Sequence, residues 1–224
     1  MEDSQFNKRW HSPTNVFMHL DKISKRVGEE LEKSPKYQKA RETRIAAIVA
    51  FVLSRLRNLP TYIRLPLDEP PDVYLMQPNL GTMDIATVEL TSYRSSTESL
   101  LDQLKRKKLK QGYSSSCLLL IELFTENKVD YEAINKHSIE QNICFPIWTL
   151  RKVQQSPDTI AEVMIINPNL SKFLINVGRE TFYFKDKYKV PQIFFSKRVG
   201  NRKNVRFEQM PGECNIAPWE CLEH

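Results

Sequence analysis

The chain has 224 residues, 41% hydrophobic and 27% charged, with 33 Lys and Arg against 27 Asp and Glu for a formal charge of +6. That length buries a full core as one domain, and the mild basic excess permits a polyanionic partner without requiring one. The longest apolar run, Ile45 to Leu53, falls far short of the roughly twenty residues of a bilayer span; the acidic start Met1-Glu2-Asp3-Ser4 lacks the pattern of a secretory signal, so the expected location is cytoplasmic.

Residues 1–15 are polar and contain Pro13, which predicts a loose leader. Phe17, Leu20, Ile23, Val27 and Leu31 then recur in steps of three and four, one face of a helix. Ser34-Pro35 reads as a cap and first-turn proline opening a second helix, which Asn58-Leu59-Pro60 stops. Its apolar middle, Ile45 to Leu53, is expected to be buried on more than one side, in the core or in a homodimer. Strands are predicted over Tyr62–Leu65, Asp72–Met76 and Asp84–Ser92, the last two joined as a hairpin through Asn79 and Gly81. Asp84 itself, and Asp68 and Glu69 before the hairpin, read as solvated or loop residues.

Ser95, with Glu98 three residues on, predicts a capping box for a third helix carrying Leu100, Leu101 and Leu104 and stopped by Gly112. Ser116 to Phe124 is an almost unbroken apolar run, a strand covered on both faces. A right-handed crossover through the third helix sets it parallel to the preceding strand. Val129–Gln141 reads as a helix, Phe145–Val153 and Ile160–Ile166 as strands, and Asn167-Pro168-Asn169 as a loop. Beyond it lie apolar islands among basic residues, at 173–177, 181–184 and 192–195, whose aromatics read as core residues of extra strands. Cys117 and Cys144 read as small buried hydrophobes, and Cys214 and Cys221 as free thiols, since no CxxC spacing occurs. Leu222-Glu223-His224 resembles the start of a purification tag. The resulting class is α/β: a mixed central sheet flanked by helices in a single domain over 16–221, with a core of about 16–125 and an α+β extension over about 126–221.

Two of the predicted strands carry one carboxylate each, Asp72 and Glu89, with Glu89 and Thr91 on one strand face. A pair of carboxylates on adjacent strands is suited to a hard cation such as Mg²⁺ or Mn²⁺, which takes oxygen ligands. Pro71-Asp72 followed by Glu89-Leu90-Thr91 resembles the PD-(D/E)xK motif of the restriction-endonuclease-like nuclease superfamily, including bacterial members with a Val-Glu-Val-Thr-like strand. The resemblance covers about 16–125. It implies a restriction-endonuclease-like core, Mg²⁺ or Mn²⁺ held by Asp72 and Glu89, and hydrolysis of DNA phosphodiesters. It also implies a further acidic residue on an upstream helix, for which Glu29, Glu30, Glu32 and Glu42 are all candidates.

The departure is Thr91, where the family carries lysine. Threonine supplies no positive charge, so either another cation replaces it or hydrolysis is lost and a nucleic-acid-binding or protein-interaction module remains. Lys105 and Lys107, on the helix after the motif strand, are the candidate replacements, and Gln103 resembles a glutamine some members carry there. Lys105, Arg106, Lys107 and Lys108 form a basic run that would contact phosphates, or else simply the wet face of an amphipathic helix. Arg198 and Arg202 lie in a second basic region interleaved with aromatics such as Tyr188 and Phe194, which can stack on bases.

Overall fold

The computed structural model describes residues 10–66, 71–79, 82–95, 97–125, 128–154, 159–187, 192–195 and 205–208. Helix α1 (Pro13–Val27) opens where Ser12 accepts the Asn15 amide proton at 3.2 Å and Pro13 takes the first turn. It ends at Gly28, whose φ of +57° suits glycine. The apolar pattern expected to continue to Leu31 is therefore split, and a short α2 (Glu30–Lys33) follows. The leader is anchored closer to the N-terminus than its polarity predicted. Trp10, His11 and Ser12 are buried, and His11 exchanges two backbone hydrogen bonds with Ile63, at 2.7 and 2.8 Å.

A 3-10 turn over Pro35–Tyr37 leads into α3 (Gln38–Arg57), which Asn58 closes in a left-handed conformation. From Ile45 to Val52 every residue is buried, as the all-round apolar run requires. This run packs inside the chain rather than presenting a free apolar face.

Seven strands form one sheet: β1 (Tyr62–Arg64), β2 (Val73–Asn79), β3 (Thr82–Tyr93), β4 (Cys117–Leu123), β5 (Ile147–Gln154), β6 (Ile160–Asn167) and β7 (Ser171–Asn176). They lie side by side in chain order. The β3–β4 and β4–β5 pairs are parallel and the others antiparallel. Parallel neighbours need crossovers, here α4 (Leu100–Lys107) and α5 (Tyr131–Glu140). The strands over 147–176 thus complete the same sheet as the motif hairpin. Alternation along β4 sorts the core into two layers. Leu118 and Leu120 face α1 and α3, while Leu119, Ile121 and Leu123 face α4 and α5. Each large side chain fully buried this way contributes about 1.5–3 kcal/mol.

Three local expectations change. Helix α4 is capped by Ser99, which accepts the Asp102 amide proton at 3.1 Å, because Ser95 spends its hydroxyl on the Thr97 and Glu98 amides in the turn before it. The 181–184 island belongs to α6 (Val177–Lys187) rather than a strand, with buried Glu180 ion-paired to Arg55 of α3. Cys117 is buried, but Cys144 is exposed, because it lies in the loop that Asn142 turns with a φ of 51°. A two-stranded hairpin, β8 (Gln192–Phe195) and β9 (Val205–Glu208), completes the described residues. Cys214, Cys221 and 222–224 lie outside them. Among the described residues no helix is long and apolar enough to cross a membrane.

Candidate functional site

The hairpin register sets up the site. The β2–β3 ladder runs from Asn79↔Thr82 to Val73↔Val88, and Pro71, which has no amide proton, stands just outside it. At the mouth of the hairpin, Asp72 donates its N–H to Val88 O at 3.1 Å, and its Oδ2 accepts the Leu90 N–H at 2.7 Å. The Asp72 carboxylate is thereby locked against the residue that follows Glu89. Glu89 pairs in register with Leu119 and Thr91 with Ile121, so both point to the α4 side of the sheet.

Helix α4 then returns a cation to this carboxylate. Leu100 and Leu104 face the core, and four residues further on Lys108 keeps the same side. Its Nζ lies 2.8 Å from Glu89 Oε1, both side chains largely shielded. On the other side of the hairpin mouth, α3 brings Lys39 and Glu42. Lys39 Nζ lies 2.8 Å from Glu42 Oε2 and 3.6 Å from Asp72 Oδ1. Glu42 Oε1 accepts a 2.8 Å bond from Gln38, while its buried Oε2, though ion-paired, accepts no hydrogen bond.

Electrostatics tie these groups into one cluster. Burial pushes the Asp72 carboxyl above its ordinary value; the Leu90 amide opposes this, the charges of Glu42 and Glu89 add to it, and Lys39 opposes it. Burial disfavours the charged form of Lys108, but the hydrogen bond and charge of Glu89 outweigh it and hold the ammonium above its usual pKa. Burial, then the charge of Glu89, raises the Tyr113 hydroxyl, against the charge of Lys108 and its hydrogen bond to Tyr113. Burial raises the Cys117 thiol, which hydrogen-bonds Thr87 and feels the charges of Glu89 and Asp72. No motif in the sequence marks Tyr113 or Cys117 as part of this cluster. The signal for Cys117 was its place at the head of a strand parallel to the Glu89 strand, opposite Thr87.

The sequence-derived candidates separate clearly. Among Glu29, Glu30, Glu32 and Glu42, only Glu42 joins Asp72: Glu29 pairs with Lys33, Glu30 is exposed, and Glu32 pairs with Arg44. The lysine on Glu89 is Lys108, not Lys105 or Lys107. Lys105 lies on the flank of α4 and Lys107 is exposed, because neither falls in the Leu100–Leu104–Lys108 row. Arg106 is held by Glu98 at 2.8 Å, on the wet face. Gln103 is buried and donates to Ser92 O at 3.1 Å. Asp84 is exposed and lies 3.3 Å from Arg57. Arg198 and Arg202, the side chains of the second basic region, and Asp68 and Glu69 lie outside the described residues.

For a divalent cation the donors are of the right kind. Glu42, Asp72 and Glu89 offer hard carboxylate oxygens, and the Glu42 Oε2 atom is buried without a hydrogen bond. Among the described residues, however, no three His, Cys, Asp or Glu side chains converge as a metal-holding group. Lys39 and Lys108 instead pair with the carboxylates. Comparison with protein families, curated proteins and solved structures finds no match.

Proposed function

We propose that the chain is a divalent-metal-dependent phosphodiesterase acting on nucleic acid, DNA in the first instance, built on a core of the restriction-endonuclease-like kind. The observation that carries this reading is Lys108 Nζ at 2.8 Å from Glu89 Oε1. It returns an ammonium to the carboxylate strand where Thr91 brings none. The order of motif hairpin, crossover helix α4 and parallel strand β4 fits the same core.

In this reading Asp72 and Glu89 hold Mg²⁺ or Mn²⁺, with Glu42 beside them, since one or two carboxylates plus water and phosphate suffice for such an ion. The bound cation would supply an activated water and neutralise phosphate charge. The chain's own residues do the rest. The Leu90 amide fixes Asp72. Lys108, on a flexible stem held at its base by α4, places positive charge where a phosphoryl oxygen would gain it. Lys39 balances Asp72 and Glu42 until a cation does. The free Cys117 and Cys144 thiols are in keeping with a reducing, cytoplasmic setting.

A second reading rests on a specific observation: the carboxylates already have cationic partners within the chain and do not converge in threes. It makes the domain a non-catalytic nucleic-acid-binding module. Purified protein incubated with labelled oligonucleotides in Mg²⁺ or Mn²⁺ separates the two. Metal-dependent nicking lost in Glu89→Ala supports hydrolysis, and nicking unchanged in that variant makes the site assignment wrong. No cleavage under any divalent ion, with salt-dependent binding that survives EDTA, establishes the module.

A further inference from the structure

Where β3 and β4 end, the chain exposes an aromatic ring capped by a cation. Phe124 follows β4 directly and is 50% exposed. Its backbone N–H is bonded to Tyr93 O at 3.0 Å, which pins it to the last residue of β3. Arg94, the next residue, lays its guanidinium over the Phe124 ring at 4.2 Å from the centroid, the closest cation–π contact among the described residues. An exposed phenylalanine alone is ordinary. The guanidinium above it is less so, because no carboxylate among the described residues pairs with Arg94. Other cations are committed to carboxylates: Lys152 to Glu122 at 3.3 Å, Arg106 to Glu98, and Arg44 to Glu32.

Position adds a second argument. Arg94 and Phe124 stand together at the carboxyl ends of the paired parallel strands β3 and β4. From Glu89 to Arg94 is about 16 Å at the rise of an extended strand, on the order of five stacked nucleotides.

We infer that Arg94 and Phe124 form a stacking platform for an unpaired base, and that the nucleic acid this protein takes is single-stranded where it meets that platform. The inference rests on the nucleic-acid reading of the carboxylate site. A guanidinium lying on an aromatic ring presents a planar, positively charged outer face. A base stacks on such a face without regard to sequence, and the uncommitted charge serves the adjoining phosphate. Bases inside a duplex are already stacked and paired, so the platform selects strands whose bases are free.

The test uses the full chain in EDTA, where cleavage is absent, with oligonucleotides carrying 2-aminopurine, whose emission is quenched on stacking. Wild type is expected to quench the probe and to bind the single strand more tightly than the duplex of the same sequence. Phe124→Leu should weaken single-strand binding by about 5- to 100-fold, and Arg94→Gln should weaken it as well, with both variants folded by circular dichroism. DNA and RNA strands are run in parallel, and preference for either sugar satisfies the proposal. Phe124→Leu binding as wild type does, or a duplex bound as well as the single strand, overturns it. Phe124-dependent binding without any metal-dependent cleavage upholds the platform and removes only the hydrolytic reading. Glu89-dependent cleavage with normal binding by Phe124→Leu removes the platform and leaves hydrolysis in place.

Discussion

The two ends of the hairpin–sheet unit are built from opposite materials. At the beginnings of β3 and β4 lies a cavity of about 690 Å³ floored by Leu75, Leu118, Trp148 and Ile165, with Leu53 at its side and the Arg57–Asp84 pair at its rim. Further along β3, at the hairpin mouth, Glu42 and Asp72 share Lys39 while Glu89 pairs with Lys108. This hollow is not where charge collects. A cavity of that size suits a small apolar ligand, and the charges at its rim, Arg57 and Asp84, pair with each other. At the mouth, Asp72 is held above its ordinary pKa by burial and by like charge from Glu42 and Glu89. Such unfavourable concentration of charge is the feature that points to chemistry.

Substitutions at the apolar end should alter stability without touching metal response, and those at the charged end should alter metal response or cleavage. Trp148→Ala should show the largest effect. The ring is 5% exposed and part of the cavity floor, so its loss should lower unfolding free energy by about 3–5 kcal/mol in urea titration. A loss below about 1 kcal/mol would mean the floor is not packed as described. Lys108→Met keeps the stem and removes the charge. Cleavage should fall about 10²- to 10³-fold with the fold intact, while Lys105→Met and Lys107→Met leave the rate unchanged. Equal losses from all three would dissolve the distinction between Lys108 and its helix neighbours.

Asp72→Asn gives a smaller effect of opposite sign in stability. Because the native carboxyl is raised above 3.8, the native state holds a proton more readily than the unfolded chain. The stability this lends is present below pH 3.8 and is lost as pH rises through the raised value. At pH 7 the wild type therefore carries the cost of a buried charge among like charges. Asparagine removes that charge and keeps an acceptor for the Leu90 N–H. Its melting temperature at pH 7 should exceed that of wild type, and the two curves should meet on acidification below pH 3.8. Added Mn²⁺ should raise the wild-type value only. A variant less stable than wild type at pH 7 would show that the Lys39 pair outweighs the repulsion. Asp84→Asn should change least, within about 0.5 kcal/mol and with no change in metal response, since its pairing with Arg57 is exposed.

Much of the fold could be read from the sequence because its signals are local. The apolar run of β4, the Leu100–Leu104 stripe and the turn chemistry between Asp72 and Glu89 each imply one element, and the parallel crossover follows from their order. What escaped was decided by tertiary competition. Ser95 and Ser99 are both competent caps, and only the turn that consumes the Ser95 hydroxyl selects Ser99. The pattern through Leu31 ignored one backbone angle at Gly28. His11 reaching Ile63 has no sequence signature.

The candidate site was legible in part. Asp72 and Glu89 come from the motif, and their nearness follows from hairpin register. Choosing Glu42 over Glu32 needs the crossing of α3 over the hairpin mouth, which brings Lys39 and Glu42 together to Asp72. Lys108 was within reach of sequence reasoning, since the spacing of four from Leu104 puts it on the core-facing side. Density of charge drew attention to Lys105 and Lys107 instead.

The central claim is that the hairpin-mouth carboxylates hold a divalent cation. Calorimetric titration of the full chain with Mn²⁺ tests it without any substrate. Wild type should bind, and Glu89→Gln and Asp72→Asn should each weaken binding by at least about 10- to 100-fold while remaining folded. Wild type that takes up no Mn²⁺, or Glu89→Gln that binds it as tightly, would contradict the account and leave the cluster as a set of structural ion pairs.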